Sequence, residues 1–165
     1  MTTKEHIMIK SLKHLILALF VFLGFSQTPT AAETIIMACD VTTTILQTNE
    51  QRHSEKKAIF KGEFVAFSSE AFVRFKGEWN ELCAERPNYV SGTREVTYSD
   101  KAMRCVRKDY VYLTENGFEE MTNTDVVFDF AFARTEGKAI YFRKNQDGVF
   151  KEVAERTWPN CEIQK

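Results

Sequence analysis

The stretch Tyr110-Val111-Tyr112-Leu113-Thr114-Glu115-Asn116-Gly117-Phe118-Glu119-Glu120-Met121-Thr122 decides the fold. Two runs, Tyr110 to Thr114 and Phe118 to Thr122, flank Asn116-Gly117. An Asn-Gly pair between alternating runs signals a hairpin, because both central residues of its two-residue turn need positive φ. Alternation on either side sends successive side chains to opposite faces of a sheet.

The same pattern extends in both directions. Ile35, Met37, Cys39, Val41, Thr43 and Ile45 share one face of a first strand. The polar residues Asn49 to Glu55 read as a loop. Lys56 to Lys61 and Glu63 to Ser68 read as short strands around Gly62, and Ala71, Val73 and Phe75 face away from Phe72, Arg74 and Lys76. Thr93 to Tyr98 and Met103 to Arg107 add two strands. Val126 to Arg134 and Lys138 to Lys144 flank Glu136-Gly137, and Val149 to Thr157 follows Asp147-Gly148. Residues 78–86 fit two forms. One is a short helix with Trp79, Leu82 and Cys83 inward, ended before Pro87; the other is a turn and an edge strand. Short connections favour antiparallel pairing. The expectation is a mainly β fold: a single antiparallel meander of about eight to ten strands, closed or nearly closed into a barrel.

The first 32 residues read as a cleavable signal peptide with a signal helix. Lys4, Lys10 and Lys13 precede an uncharged apolar run from Leu15 to Phe25, and Thr30-Ala31-Ala32 supplies small residues before a cut at Glu33. Eleven apolar residues are too few for a spanning helix, which needs about 20. Residues 33–165 then form a single β domain, long enough to bury a core. The leader removes three lysines and one glutamate, so a formal charge of −1 for the whole chain becomes −3 for the mature one. Basic and acidic residues are interspersed. Nucleic acid and polybasic membrane contact both need clustered positive charge.

Cys39, Cys83, Cys105 and Cys161 all lie in the mature part. Four cysteines in an exported chain imply two disulfides, and three connectivities are open. Cys39–Cys161 and Cys83–Cys105 is the favoured set. The first closes a long loop and restricts the unfolded chain by about 4–5 kcal/mol. No two cysteines have metal-knuckle spacing and His53 is the sole mature histidine, so neither a metal nor a cofactor is expected. Ile36-Met37-Ala38-Cys39 loosely resembles a bacterial lipobox, in which Cys39 would carry lipid and leave three thiols.

Phe128, Phe130 and Phe132 alternate along one strand, with Ile140 and Phe142 on the next. They are the candidate pocket for a small apolar ligand, set against an ordinary aromatic core. Ser54-Glu55-Lys56-Lys57 satisfies Ser-x-x-Lys but sits in a polar loop without companion motifs. Glu78, Glu81 and Glu85, or Asp125 and Asp129, are the carboxylates open to acid–base work, and no catalytic residue is assigned.

Trp79-x-x-Leu82-Cys83, Arg134-Thr135-x-Gly137 and Asn160-Cys161 resemble small exported bacterial β-proteins with no assigned activity. That resemblance covers about the last two-thirds of the chain and implies no chemistry. Gly77-Glu78-Trp79 matches the Gly-x-Trp of lipocalins, mid-chain instead of at the first barrel strand, and no lipocalin function is carried over. Ser91-Gly92-Thr93-Arg94 resembles the Ser-Gly segment of periplasmic inhibitors of C-type lysozyme. The aromatic-Thr-Lys-Gly continuation of that family is missing, so its inhibitory residues have no positions here.

The functional expectation is a non-catalytic exported or periplasmic binding domain, for a small apolar ligand or an envelope protein. The alternatives are a carboxylate-based hydrolase and a structural envelope component. An apolar cavity would favour the ligand, converging carboxylates the hydrolase, and a filled core the protein partner. Expressed with its own leader, the chain should yield a species that begins at Glu33 and weighs four hydrogens less than its sequence. Intact mass spectrometry showing four free thiols or an uncut N-terminus would refute this.

Overall fold

The structure is a computed structural model that describes residues 32–65 and 68–165. The expected leader lies outside the described residues except for Ala32. Twelve strands follow: β1 (Glu33–Cys39), β2 (Thr42–Ile45), β3 (Glu50–His53), β4 (Ala58–Val65), β5 (Ser68–Phe75), β6 (Glu78–Glu81), β7 (Tyr89–Ser99), β8 (Ala102–Leu113), β9 (Glu119–Asp129), β10 (Arg134–Lys144), β11 (Phe150–Thr157) and β12 (Glu162–Ile163). They form two antiparallel sheets, ordered β12-β1-β4-β5-β6 and β3-β2-β11-β10-β9-β8-β7. The mainly β expectation holds. The single meander and the closed barrel do not: β2 and β3 leave the first sheet before β4 returns to pair with β1, and no ladder joins β6 to β7.

The sheets are linked where the expected first strand breaks. Its alternation is unbroken from Ile35 to Ile45, yet the chain turns at Asp40-Val41 and passes from one sheet into the other. The C-terminal part makes the matching turn between β11 and β12. Asp40 N–H donates to the Pro159 carbonyl at 2.9 Å, Asn160 Nδ2 donates to the Asp40 carboxylate at 3.0 Å, and Cys39 is bonded to Cys161. That bond also occupies the cysteine of the lipobox-like sequence. On the opposite side Cys83, just after β6, is bonded to Cys105 on β8. The two disulfides are consistent with an oxidising environment.

The core lies between the sheets. Met37, Phe60 and Phe64 of the first face Met103, Cys105, Val126 and Phe128 of the second. The Phe60 and Phe128 rings are 4.8 Å apart by centroid, and Trp158, at the corner, lies 5.8 Å from Phe128. Each such ring removed from water contributes roughly 1.5–3 kcal/mol.

Three glycines mark where local sequence misleads. Gly62, read as a break, sits inside β4 opposite Ala71. A Cβ there would come 2.5 Å from the Phe64 ring and 3.2 Å from Phe130, so the strand stays bare to admit the rings. Gly137, read as a hairpin turn, lies inside β10 with φ +98°, against the Asp125 carbonyl. The true turn spans Phe130–Ala133. At the opening hairpin only Gly117 has positive φ, because the turn is a longer one running from Thr114 to Phe118. Residues 78–86 take the strand option: β6 and a turn, with Trp79 partly exposed and Leu82 and Cys83 buried.

Gly137→Ala must meet both a left-handed φ and a carbonyl collision, whereas a Cβ at Gly117 (φ +78°) meets nothing within 4 Å. Gly137→Ala should cost about 3 kcal/mol or more and Gly117→Ala about 1. Denaturant midpoints decide it; equal losses would contradict the strand placement of Gly137.

Candidate functional site

The five pocket candidates do not converge. Phe128 and Phe130 are 3% and 0% exposed and packed against Phe60 and Phe64. Phe132 belongs to the β9–β10 turn and is 75% exposed. Ile140 pairs with Asn123 and Phe142 with Met121, an odd number of residues from Phe128, so both face away from it. Alternation alone could not reveal that β9 ends at Asp129.

Three of the candidate carboxylates take cations. Asp125 accepts from Arg104 at 2.8 Å through both oxygens, and that guanidinium holds its carboxyl below the usual range. Asp129 pairs with Arg134 at 3.1 Å, and Glu81 lies 3.7 Å from Arg94. His53 meets the Thr42 hydroxyl on the exposed edge strand β3, and Ser54 Oγ donates to the Lys56 carbonyl. Among the described residues no three His, Cys, Asp or Glu side chains cluster to hold a metal.

An open recess of about 750 Å³ lies on the outward face of β8, β9 and β10, lined in part by Val106, Val127 and Ile140. Its charges are largely satisfied: Arg104 by Asp125, and Lys138 by Glu155 at 2.6 Å. Satisfied ion pairs on an exposed face give a ligand little to gain.

The inward face of the seven-stranded sheet is different. Cross-strand register aligns Arg94, Arg107, Thr124, Ala139, Arg156, Thr43 and Arg52 in one row from β7 to β3. Two residues along each strand, the row Val96, Cys105 and Val126 belongs to the core. Arginines therefore occupy positions in phase with buried apolar side chains. On the far side of the row a bulge at Lys108-Asp109 adds a residue to β8. Asp109 has φ +47°, its N–H held by Asn123 Oδ1 at 2.6 Å. The extra residue puts Tyr110 and Tyr112 on the same face as Arg107, where plain alternation would turn them outward.

These tyrosines carry the arginines. The Arg107 guanidinium lies 5.0 Å from the Tyr110 ring, Arg86 4.9 Å from Tyr112, and Arg156 5.3 Å from Tyr141. The segment after β6 folds over them: Arg107 Nη2 donates to the Ala84 carbonyl at 2.6 Å, and Arg86 N–H to the Tyr110 hydroxyl at 2.9 Å. Burial holds the Arg107 guanidinium below its ordinary value, and the charge of Arg86 pushes the same way. Burial and a 2.9 Å hydrogen bond to Glu120 push the Tyr112 hydroxyl up to about 12. Among the described residues no carboxylate forms an ion pair with Arg86, Arg107 or Arg156. Two buried side-chain polar atoms there lack any hydrogen-bond partner, Arg107 Nε and Thr122 Oγ1, and both belong to this face.

No family model, curated protein or solved structure matches the chain.

The arginine row is absent from the sequence expectations. Its signal is the phase: Arg107 follows Met103 and Cys105, and Arg94 precedes Val96 and Tyr98, at period two. Thr122→Val keeps the shape and removes a buried hydroxyl with no partner. It should leave stability unchanged or raise it by about 1 kcal/mol. A chemical-denaturation loss above about 1 kcal/mol would show that the hydroxyl is bonded after all.

Proposed function

We propose that this chain is a non-catalytic exported domain that binds another protein of the cell envelope. It docks that partner on the tyrosine–arginine half of the inward face of the seven-stranded sheet. The single observation that carries the reading is Arg107, a half-buried cation without an acidic partner among the described residues. A buried charge without its counter-charge destabilises a fold, and such groups concentrate at functional sites.

Other observations point the same way. The ring-to-ring packing of Phe60, Phe64, Phe128, Phe130 and Trp158 fills the space that an apolar ligand would need, which favours a protein partner over a carried small molecule. Asp125, Asp129 and Glu81 are each engaged by an arginine, so no pair is poised for acid–base work. The Tyr89 ring lies 5.0 Å from Tyr110 and is 41% exposed, which leaves apolar surface beside the arginines, and arginine with tyrosine is the composition of interface centres. A purely structural envelope component would gain nothing from an unpaired arginine. The signal peptide reading and the two disulfides support an encounter outside the cytoplasm.

A photoactivatable residue at Val90 (51% exposed) and, separately, at Phe132 (75% exposed, at the other end of β9) tests this in cells that export the chain. A discrete protein adduct should form from Val90 and not from Phe132. Equal labelling, labelling from Phe132 alone, or no adduct at either site would refute the reading.

A further inference from the structure

Resting on that partner reading, we propose that Arg86 and Arg107 form a carboxylate seat that receives an acidic side chain of the bound protein. Each guanidinium lies over a tyrosine ring, Arg107 over Tyr110 at 5.0 Å and Arg86 over Tyr112 at 4.9 Å. The Ala84 carbonyl takes Arg107 Nη2, so an arriving oxyanion would meet the rest of that guanidinium and the N–H groups of Arg86. The two anchoring rings are fixed in turn. The Tyr110 hydroxyl accepts the Arg86 N–H, and the Tyr112 hydroxyl donates to Glu120.

After burial, the charges of Arg86 and Arg94 also push the Arg107 guanidinium below its ordinary value. Arg94 has Glu81 at 3.7 Å, and Arg143 has Glu120 at 3.6 Å. Arg86 and Arg107 have no such partner among the described residues. The local deficit is therefore a negative group beside Arg86 and Arg107. A carboxylate there would gain two charge-assisted contacts in a site already partly stripped of water, where attraction is screened least.

A polypeptide suits the surroundings better than a lipid surface. Glu85, Glu115 and Glu119 lie near the seat in sequence, so the patch is no continuous basic footprint of the kind that holds anionic membranes. Tyr89, packed against Tyr110, offers a half-exposed apolar contact on which the residues flanking an acidic side chain can rest.

The test uses the oxidised chain from residue 33 and fluorescein-labelled hexaglutamate, read by anisotropy. Hexalysine, inorganic phosphate and vesicles of anionic phospholipid serve as parallel probes. Hexaglutamate should bind in a salt-sensitive manner, while hexalysine does not. Arg86→Gln and Arg107→Met should each weaken it by about tenfold or more. Arg104→Gln, on the outward face, should leave it unchanged. Arg107→Met should also keep or raise the melting midpoint, because it removes a buried unpaired charge. A purely structural arginine would lower the midpoint instead. The proposal is overturned if hexaglutamate fails to bind, if Arg104→Gln weakens it as much, or if only phosphate or vesicles bind in an Arg86-dependent way. The Val90 adduct is a separate readout: its persistence after such a failure would spare the partner reading and remove the carboxylate.

Discussion

The corner at Cys39 and Cys161 is the constraint on which the remaining architecture depends. Two chain segments cross there from one sheet to the other, at Asp40-Val41 and at Trp158–Asn160. They cross side by side, joined by the disulfide and by the Asp40–Pro159 and Asp40–Asn160 hydrogen bonds. The bond spans 122 residues of sequence, so in the loop-entropy model it restricts the unfolded chain by about 5 kcal/mol. It also brings Trp158 over Phe60 and Phe128, and thus fixes which faces of the two sheets meet. Once those faces meet, the inward phase of every other strand follows from the ladder register.

The far side has no such continuity. β6 is four residues long and β7 eleven, and no ladder joins them. Cys83–Cys105 and the bond from Arg94 to the Cys83 carbonyl hold the seam instead. The strands β8, β9 and β10 also run past the apolar core. Their far halves keep an inward face lined by Tyr110, Tyr112, Thr122, Tyr141 and the arginine row. An inward-facing surface that the core does not reach is where a two-sheet fold can place polar groups without breaking its packing.

Sequence reasoning read the local grammar well and the long-range geometry poorly, for identifiable reasons. Period two located most strands because a half-buried sheet imposes it on each segment separately. The bend at Asp40-Val41 stayed hidden because alternation continues straight through it. Gly62 and Gly137 read as breaks because a missing side chain looks the same in a turn and in a strand crossed by a close neighbour. Phe132 was grouped with Phe128 because nothing local marks the end of β9. The arginine row was out of reach for a different reason. Its members come from seven separate strands, and only the ladder register aligns them. The bulge that turns Tyr110 inward is a single inserted residue, with no sequence mark beyond an Asp that tolerates positive φ.

This leaves a contrast between the two faces of one sheet. On the outward face, charges are paired across strands, Arg104 with Asp125 and Lys138 with Glu155, and the surface is close to self-sufficient. On the inward side, Arg107 and the exposed Arg86 lie over aromatic rings, Arg107 is partly desolvated, and neither has an ion-pair partner among the described residues. The same chain supplies twenty-three acidic residues, so acids were not scarce. Placing one opposite Arg107 would have removed a destabilising term from the fold. That none stands there among the described residues fits the proposed seat, because a native acid in that position would compete with any carboxylate arriving from outside.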